Sequence, residues 1–260
     1  MSLPAPPPVV VCFSGHDPSG GAGLQADIQA ISHFGGHAAS VITCLTVQDS
    51  INVRRLIPQN LDDFLEQTHL LLADLPVSVF KIGLLGDPAI ACAVSEILEA
   101  HPHIPVVLDP ILAAGGGQVL ASEHLLALIQ TRLIPRTTLL TPNTPESMRL
   151  TGTSDPEQAG WALLHRGCTH VLLTGTHEER GEVINRWFSE QGLKVWSWPR
   201  LPTCYHGSGC TLAAAAAALL ATGHTMDEAL SQAQQYTWNS LKAAYRPGRG
   251  QWFPARTPPG

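Results

Sequence analysis

Short unbroken apolar runs alternate with amphipathic stretches along most of the chain. Val9-Val10-Val11-Cys12-Phe13 is such a run, the pattern of a strand buried on both faces. After a loop of small residues, Leu24, Ile28 and Ile31 recur at helical spacing. Phe34 closes that pattern and Gly35-Gly36 ends it. The same reading predicts strands over 40–46, 77–82, 106–108, 138–140 and 170–174, and helices over 61–73, 89–99 and 156–165. Residues 183–188 and 193–198 read as a hairpin turning at Gln191-Gly192. Two helices, 210–221 and 226–244, fill the C-terminal third, and 1–8 and 246–260 read as irregular tails. Alternation at this spacing, without repeats or a linker, predicts one α/β domain over 1–260. Its central sheet is mostly parallel and flanked by helices in three layers, with antiparallel strands added late. Ligands of such sheets sit outside the carboxyl ends of the strands, so the loops following strands are where chemistry is expected.

Composition narrows the functional classes. The 260 residues are 44% hydrophobic and 14% charged with a formal net charge of −6, which excludes disorder as the main state. A mildly acidic chain without a Lys/Arg cluster is a poor nucleic-acid or anionic-membrane binder. Six cysteines form no CxxC pair, and the start MSLPAPPPVVVCFSG has no basic segment before its short apolar run. The expectation is a reduced, cytoplasmic protein without a membrane span. The twelve histidines show no tight metal-ligand spacing. The excess lies in 23 glycines and 21 prolines, above the roughly 12% of average usage, and much of it falls in strand-end loops.

Three of those loops carry chemistry. Gly15-His16-Asp17-Pro18-Ser19-Gly20-Gly21-Ala22-Gly23 follows a strand and precedes a helix, so it reads equally as a connecting turn or as a ligand loop. It is neither a dinucleotide-binding nor a P-loop motif. His206-Gly207-Ser208-Gly209-Cys210-Thr211 opens an alanine-rich helix. Gly207, Ser208 and Gly209 expose successive backbone N–H groups to an anion, and Cys210 stands in the first turn, where the helix field lowers a thiol's pKa from about 8.5. A thiolate there can take a proton from a hydroxyl substrate as phosphate is transferred beside it. Finally, Asp109 follows one apolar strand, and Asn143 and Glu146 follow another. Carboxylates so placed suit a largely hydrated Mg²⁺ bridging nucleotide phosphates, although strand-end acids also serve as helix caps.

Several motifs in order resemble one family. Asp17-Pro18-Ser19-Gly20-Gly21-Ala22-Gly23-Leu24-Gln25-Ala26-Asp27, Ser40-Val41-Ile42-Thr43 with Gln48, and Lys81-Ile82-Gly83 begin the match. Val107-Leu108-Asp109-Pro110, Thr141-Pro142-Asn143 with Pro145-Glu146, and His206-Gly207-Ser208-Gly209-Cys210-Thr211-Leu212 continue it. Together they resemble the hydroxymethylpyrimidine/phosphomethylpyrimidine kinases of thiamine biosynthesis, a branch of the ribokinase-like superfamily. The resemblance implies a ribokinase-like fold, ATP and Mg²⁺ as cofactors, an aminopyrimidine substrate and a homodimer. It implies that Gln48 hydrogen-bonds the aminopyrimidine, with Gly15, Asp27 and Leu84 lining the same pocket. Cys210 would be the catalytic base, the amides of 207–210 the anion hole, and Asp109, Asn143 and Glu146 the partners of Mg²⁺ and the phosphates.

The chain also departs from that pattern. Thr174, in Leu173-Thr174-Gly175-Thr176-His177, stands where the family usually has a phosphate-binding lysine. Pro202-Thr203-Cys204-Tyr205 lacks the usual Lys-Asn-Thr, and Ala113-Ala114-Gly115-Gly116-Gly117 replaces a more polar lid, leaving a mobile one. Two other readings follow. One is a pyridoxal kinase of the same branch, against which Ala114 stands where a second cysteine is expected. The other is a catalytically weak pyrimidine-binding paralogue.

Overall fold

A computed structural model of the chain describes residues 5–178 and 181–257. The ends of both expected tails, 1–4 and 258–260, therefore lie outside the described residues. Among the described residues, nine strands form one sheet in the order β3-β2-β1-β4-β5-β6-β7-β8-β9. The continuous apolar runs supply its parallel centre: β1 (Val9–His16), β2 (His37–Gln48), β4 (Val77–Ile82), β5 (Val106–Leu108), β6 (Leu139–Leu140) and β7 (His170–Thr174). The expected hairpin is β8 (Glu182–Ser189) and β9 (Gly192–Pro199), antiparallel to β7 and to each other. Sequence patterning misses β3 (Val53–Pro58), which pairs antiparallel with β2 at the opposite edge. Arg54 and Arg55 are exposed there, so no continuous apolar run marks it.

Successive side chains of a strand face opposite layers, and β1 shows the division. Val9, Val11 and Phe13 join a core with α2 (Leu61–Asp74), α3 (Pro88–Ala100), α4 (Glu123–Leu128), α5 (Thr144–Thr151) and α6 (Pro156–His165). Val10 and Cys12 join the other, with α1 (Gly23–His33), α7 (Ser208–Ala221) and α8 (Met226–Lys242). In α7, residues Ala213 to Ala218 are fully buried, which lets a helix without a polar face lie close against β1, β4 and β5. The three-layer α/β arrangement is the expected one.

Two further helices break the predicted pattern. The segment read as a strand-end loop at 141–146 turns into α5: Asn143 caps it by accepting from the Glu146 amide, and the Glu146 side chain accepts from the Asn143 amide. Between β5 and β6, α4 runs into a π-helical turn (Ile129–Leu133) and a 3₁₀ turn (Ile134–Arg136). The C-terminal tail holds no helix or strand among its described residues, yet it is packed against the domain. Phe253 and Arg256 are buried, and Trp252 and Phe253 bridge to Tyr205 and Tyr245. No helix of the described residues is long and apolar enough to cross a membrane.

Candidate active site

The parallel strands end on one side of the sheet, and the loops that leave them meet around the start of α7. Gly207 adopts φ +73° as the N-cap of this helix, so the chain turns sharply and leaves the amides of its first turn without intrahelical partners. A side chain at Gly207 would lie 2.9 Å from Ala22 Cα and inside contact distance of the Gly21 carbonyl. The two small-residue loops predicted separately thus touch through their backbones. Gly21 itself lies under the rings of His206 and Phe253, where a Cβ has no room. The His206 ring is anchored to Asp17 at 2.8 Å.

Cys210 is buried in the first turn of α7 and meets a second helix start. The Gly23 backbone N–H, which opens α1, reaches towards its sulfur and favours the thiolate. Nevertheless the expected depressed pKa is not found: burial pushes the thiol up to about 12. The Lys81 charge pulls it down, but the neighbouring carboxylates of Asp109 and Asp27 push it further up. Helix position alone misleads here, because the thiol is buried and acids from the end of β5 and from α1 share its site.

Asp109 is buried, and its Oδ2 has no hydrogen-bond partner among the described residues. It faces Gly209, where an added Cβ would lie 3.5 Å from that oxygen. Burial raises the Asp109 carboxyl to about 6, with Lys81 and the Cys210 thiol opposing and Asp27 adding to the rise. Glu146 rises further, to about 8, through burial and then the charge of Asp109. A carboxylate that raises its neighbour, with an orphaned oxygen of its own, is a donor that a hard cation relieves. Glu146 accepts from Asn143 N at 2.9 Å and Leu112 N at 3.5 Å, so both of its oxygens are engaged while Asp109 Oδ2 is not. Thr174 ends β7 beside Asn143, donating its amide to Pro142 O at 2.9 Å and accepting from Thr144 Oγ1 at 3.3 Å.

The proposed substrate wall is brought together with one exception. Gly15 lies against Leu84 and Cys44, and a Cβ on it would fall 3.1 Å from Leu84 Cδ2. Gln48, half-buried at the end of β2, donates to Thr46 Oγ1 at 2.7 Å, and Thr46 donates to His16 O at 2.9 Å. Asp27 does not line this wall as expected. It is fully buried, 2.8 Å from Lys81 Nζ, which is itself fully buried and donates to Ser14 Oγ at 3.1 Å. A buried carboxylate is stable only with such a partner, and Lys81 occupies it. In the glycine-rich lid Ala113 bridges to Val119, and Asn52 donates to Gly116 O at 3.3 Å.

Sequence reasoning passed over two groups. Lys81 lay inside a quoted motif without a role, and Arg256 lay in the tail. Nothing local marks either one as part of the site.

The Phosphomethylpyrimidine kinase family matches residues 17–254. The hydroxymethylpyrimidine/phosphomethylpyrimidine kinase of Salmonella typhimurium is 36% identical over 239 residues, covering 89% of this chain and 90% of that protein. The thiamine biosynthesis bifunctional protein ThiED of Geobacter sulfurreducens is 35% identical over 253 residues; the match takes in 95% of this chain but only 52% of that protein. Among solved structures, an ADP complex of Bacillus subtilis pyridoxal kinase superposes with a TM-score of 0.88 over 96% of this chain and 97% of that one. At 23% identity that likeness shows the fold alone, which is the ribokinase-like fold expected. With the family match over most of its length, and relatives above 30% identity at nearly full coverage, the chain belongs to the phosphomethylpyrimidine kinase family.

Proposed function

We propose that this chain transfers the γ-phosphoryl group of ATP to 4-amino-5-hydroxymethyl-2-methylpyrimidine, to its monophosphate, or to both, in thiamine biosynthesis. One observation carries the reading: the N-terminus of α7, the Gly23 N–H and Asp109 converge on Cys210 in a chain of this family. Gln48 then reads the ring edge, since an amide offers a donor and an acceptor together. Gly15 and Leu84 form the floor beneath the ring. The amides of 207–210 receive the charge that develops on the phosphoryl oxygens. Asn143 and Thr174 stand at the nucleotide side.

Cys210, once its own proton has passed to solvent, takes the hydroxyl proton as the substrate oxygen attacks phosphorus. Its resting thiol is held protonated first by burial, with the charges of Asp109 and Asp27 adding to it. Neutralising Asp109 removes one part of that bias, so that Lys81, the Gly23 N–H and two helix N-termini favour the thiolate against burial and Asp27. Mg²⁺, held by Asp109 and through water by Glu146, would supply that neutralisation together with charge balance at the phosphates. By the same resemblance we infer a homodimer working in the cytoplasm.

The deciding experiment compares the purified chain on the aminopyrimidine alcohol and on pyridoxal, with ATP and Mg²⁺. Preferential phosphorylation of the alcohol is expected. Preference for pyridoxal overturns the reading, and ligand-induced thermal stabilisation without turnover points instead to a binding paralogue.

A further inference from the structure

Arg256 lies two residues past the segment that matches the family, in a tail that reads as irregular. Its side chain is nonetheless buried, at 3% exposure. Nε donates to Thr211 Oγ1 at 2.8 Å, Nη1 to Gln29 Oε1 at 3.3 Å, and Nη2 to the Gly21 carbonyl. The backbone behind it is fixed as well: the Tyr236 hydroxyl donates to Arg256 O at 2.8 Å, and Ala255 N to Ser240 O at 2.9 Å. A planar guanidinium presents its donors in a rigid fork, so these partners are set at fixed separations.

The partners are not arbitrary. Thr211 follows Cys210, and Gly21 stands two residues before Gly23, whose N–H reaches the Cys210 sulfur. Between them runs the backbone contact of Gly207 with Gly21 and Ala22, and a Cβ on Gly207 would also lie 2.8 Å from Arg256 Nη2. We propose that Arg256 is a positioning residue for phosphoryl transfer, its fork holding the β1–α1 loop in register with the first turn of α7 around Cys210. The role in turnover rests on the kinase reading above; the register itself does not.

The test uses full-length Arg256→Met, Arg256→Lys and Arg256→Ala. ATP-dependent phosphorylation of the aminopyrimidine alcohol is followed together with thermal unfolding and with iodoacetamide alkylation of Cys210 at one pH, mapped by mass spectrometry. Loss of register lowers kcat about 10- to 100-fold in Arg256→Met while the pyrimidine KM stays within about twofold. Arg256→Lys recovers little, because an ammonium does not span the partners, whereas added guanidinium restores part of the rate to Arg256→Ala. Cys210 alkylation accelerates about tenfold or more in Arg256→Met as the seam loosens. A folded Arg256→Met with kcat within about twofold of the parent, or with unchanged Cys210 alkylation, overturns the proposal. If the parent chain itself transfers no phosphate, the kinase reading fails, and the alkylation rates alone decide the role of Arg256 in the register. Should Arg256→Met not fold, Arg256→Lys and the guanidinium response of Arg256→Ala carry the same decision.

Discussion

His206 Nε2 lies 2.8 Å from Asp17 Oδ2, tying the residue before the glycine turn of α7 to the loop that follows β1. Asp17 also accepts from Ser19 N at 2.8 Å, Ser19 Oγ at 2.7 Å and Ala22 N at 2.8 Å. Burial alone would raise this carboxyl, but the hydrogen bonds from His206 and Ser19 prevail and hold it down at about 2. A pKa depressed in the folded state stabilises the fold above the ordinary carboxylate value. That contribution, about 2 kcal/mol, is lost as pH falls from roughly 4 towards 2. Asp17→Asn should therefore lower stability at pH 7 by about that amount. Urea unfolding at pH 7, 4 and 3 checks this, and a parent–variant gap that stays constant down to pH 3 counts against it.

Gly207→Ala tests the contact between the two loops. The left-handed φ of +73° strains any L side chain, and the new methyl meets Ala22, Gly21 and Arg256. A stability loss of about 1–3 kcal/mol is expected, with kcat reduced more than tenfold in the folded fraction. Denaturant melts combined with single-turnover assays separate the two effects. Near-normal turnover in the variant would mean that the turn does not set the anion hole.

Thr174→Lys should improve the enzyme. Returning a cation to the end of β7 adds a charge-assisted hydrogen bond of about 1–3 kcal/mol, so the KM for ATP should fall by roughly tenfold. Steady-state kinetics at saturating pyrimidine measure it. An unchanged or higher KM would show that this chain orients the nucleotide without that position.

Cys210→Ala and Gln48→Ala separate chemistry from binding. The first should lose most turnover, about 100-fold or more, because the proton acceptor is gone. The second should raise the pyrimidine KM about tenfold with a smaller change in kcat. Equal residual activity in parent and Cys210→Ala would exclude the thiol as base, and an unaltered KM in Gln48→Ala would remove that amide from the pocket.

Much of the layer architecture was legible because buried parallel strands leave unbroken apolar runs, as at Val9-Val10-Val11-Cys12-Phe13. The edge strand β3 left no such trace, since Arg54 and Arg55 point to solvent. The helix after β6 did leave one: Asn143 followed three residues later by Glu146 is a capping box, hidden by the prolines around it. In the site, glycines and strand-end acids marked the loops. What could not be read was how distant groups alter each other. The thiol of Cys210 follows its helix by sequence, but its proton affinity follows Asp109, Asp27 and burial. Arg256 is a single arginine in a proline-rich tail until the fold brings it to Thr211.

Lys81 and Asp27 face each other with no access to water, 2.8 Å apart, on β4 and α1. Losing either one alone strands a buried charge at a cost of about 3–5 kcal/mol, whereas exchanging both for apolar residues of similar volume can leave stability intact. The two positions therefore act as one unit: a change at residue 27 is tolerated only with a matching change at residue 81. Since Lys81 also sets the charge felt by Cys210 and Asp109, any such paired exchange would retune the catalyst in the same step.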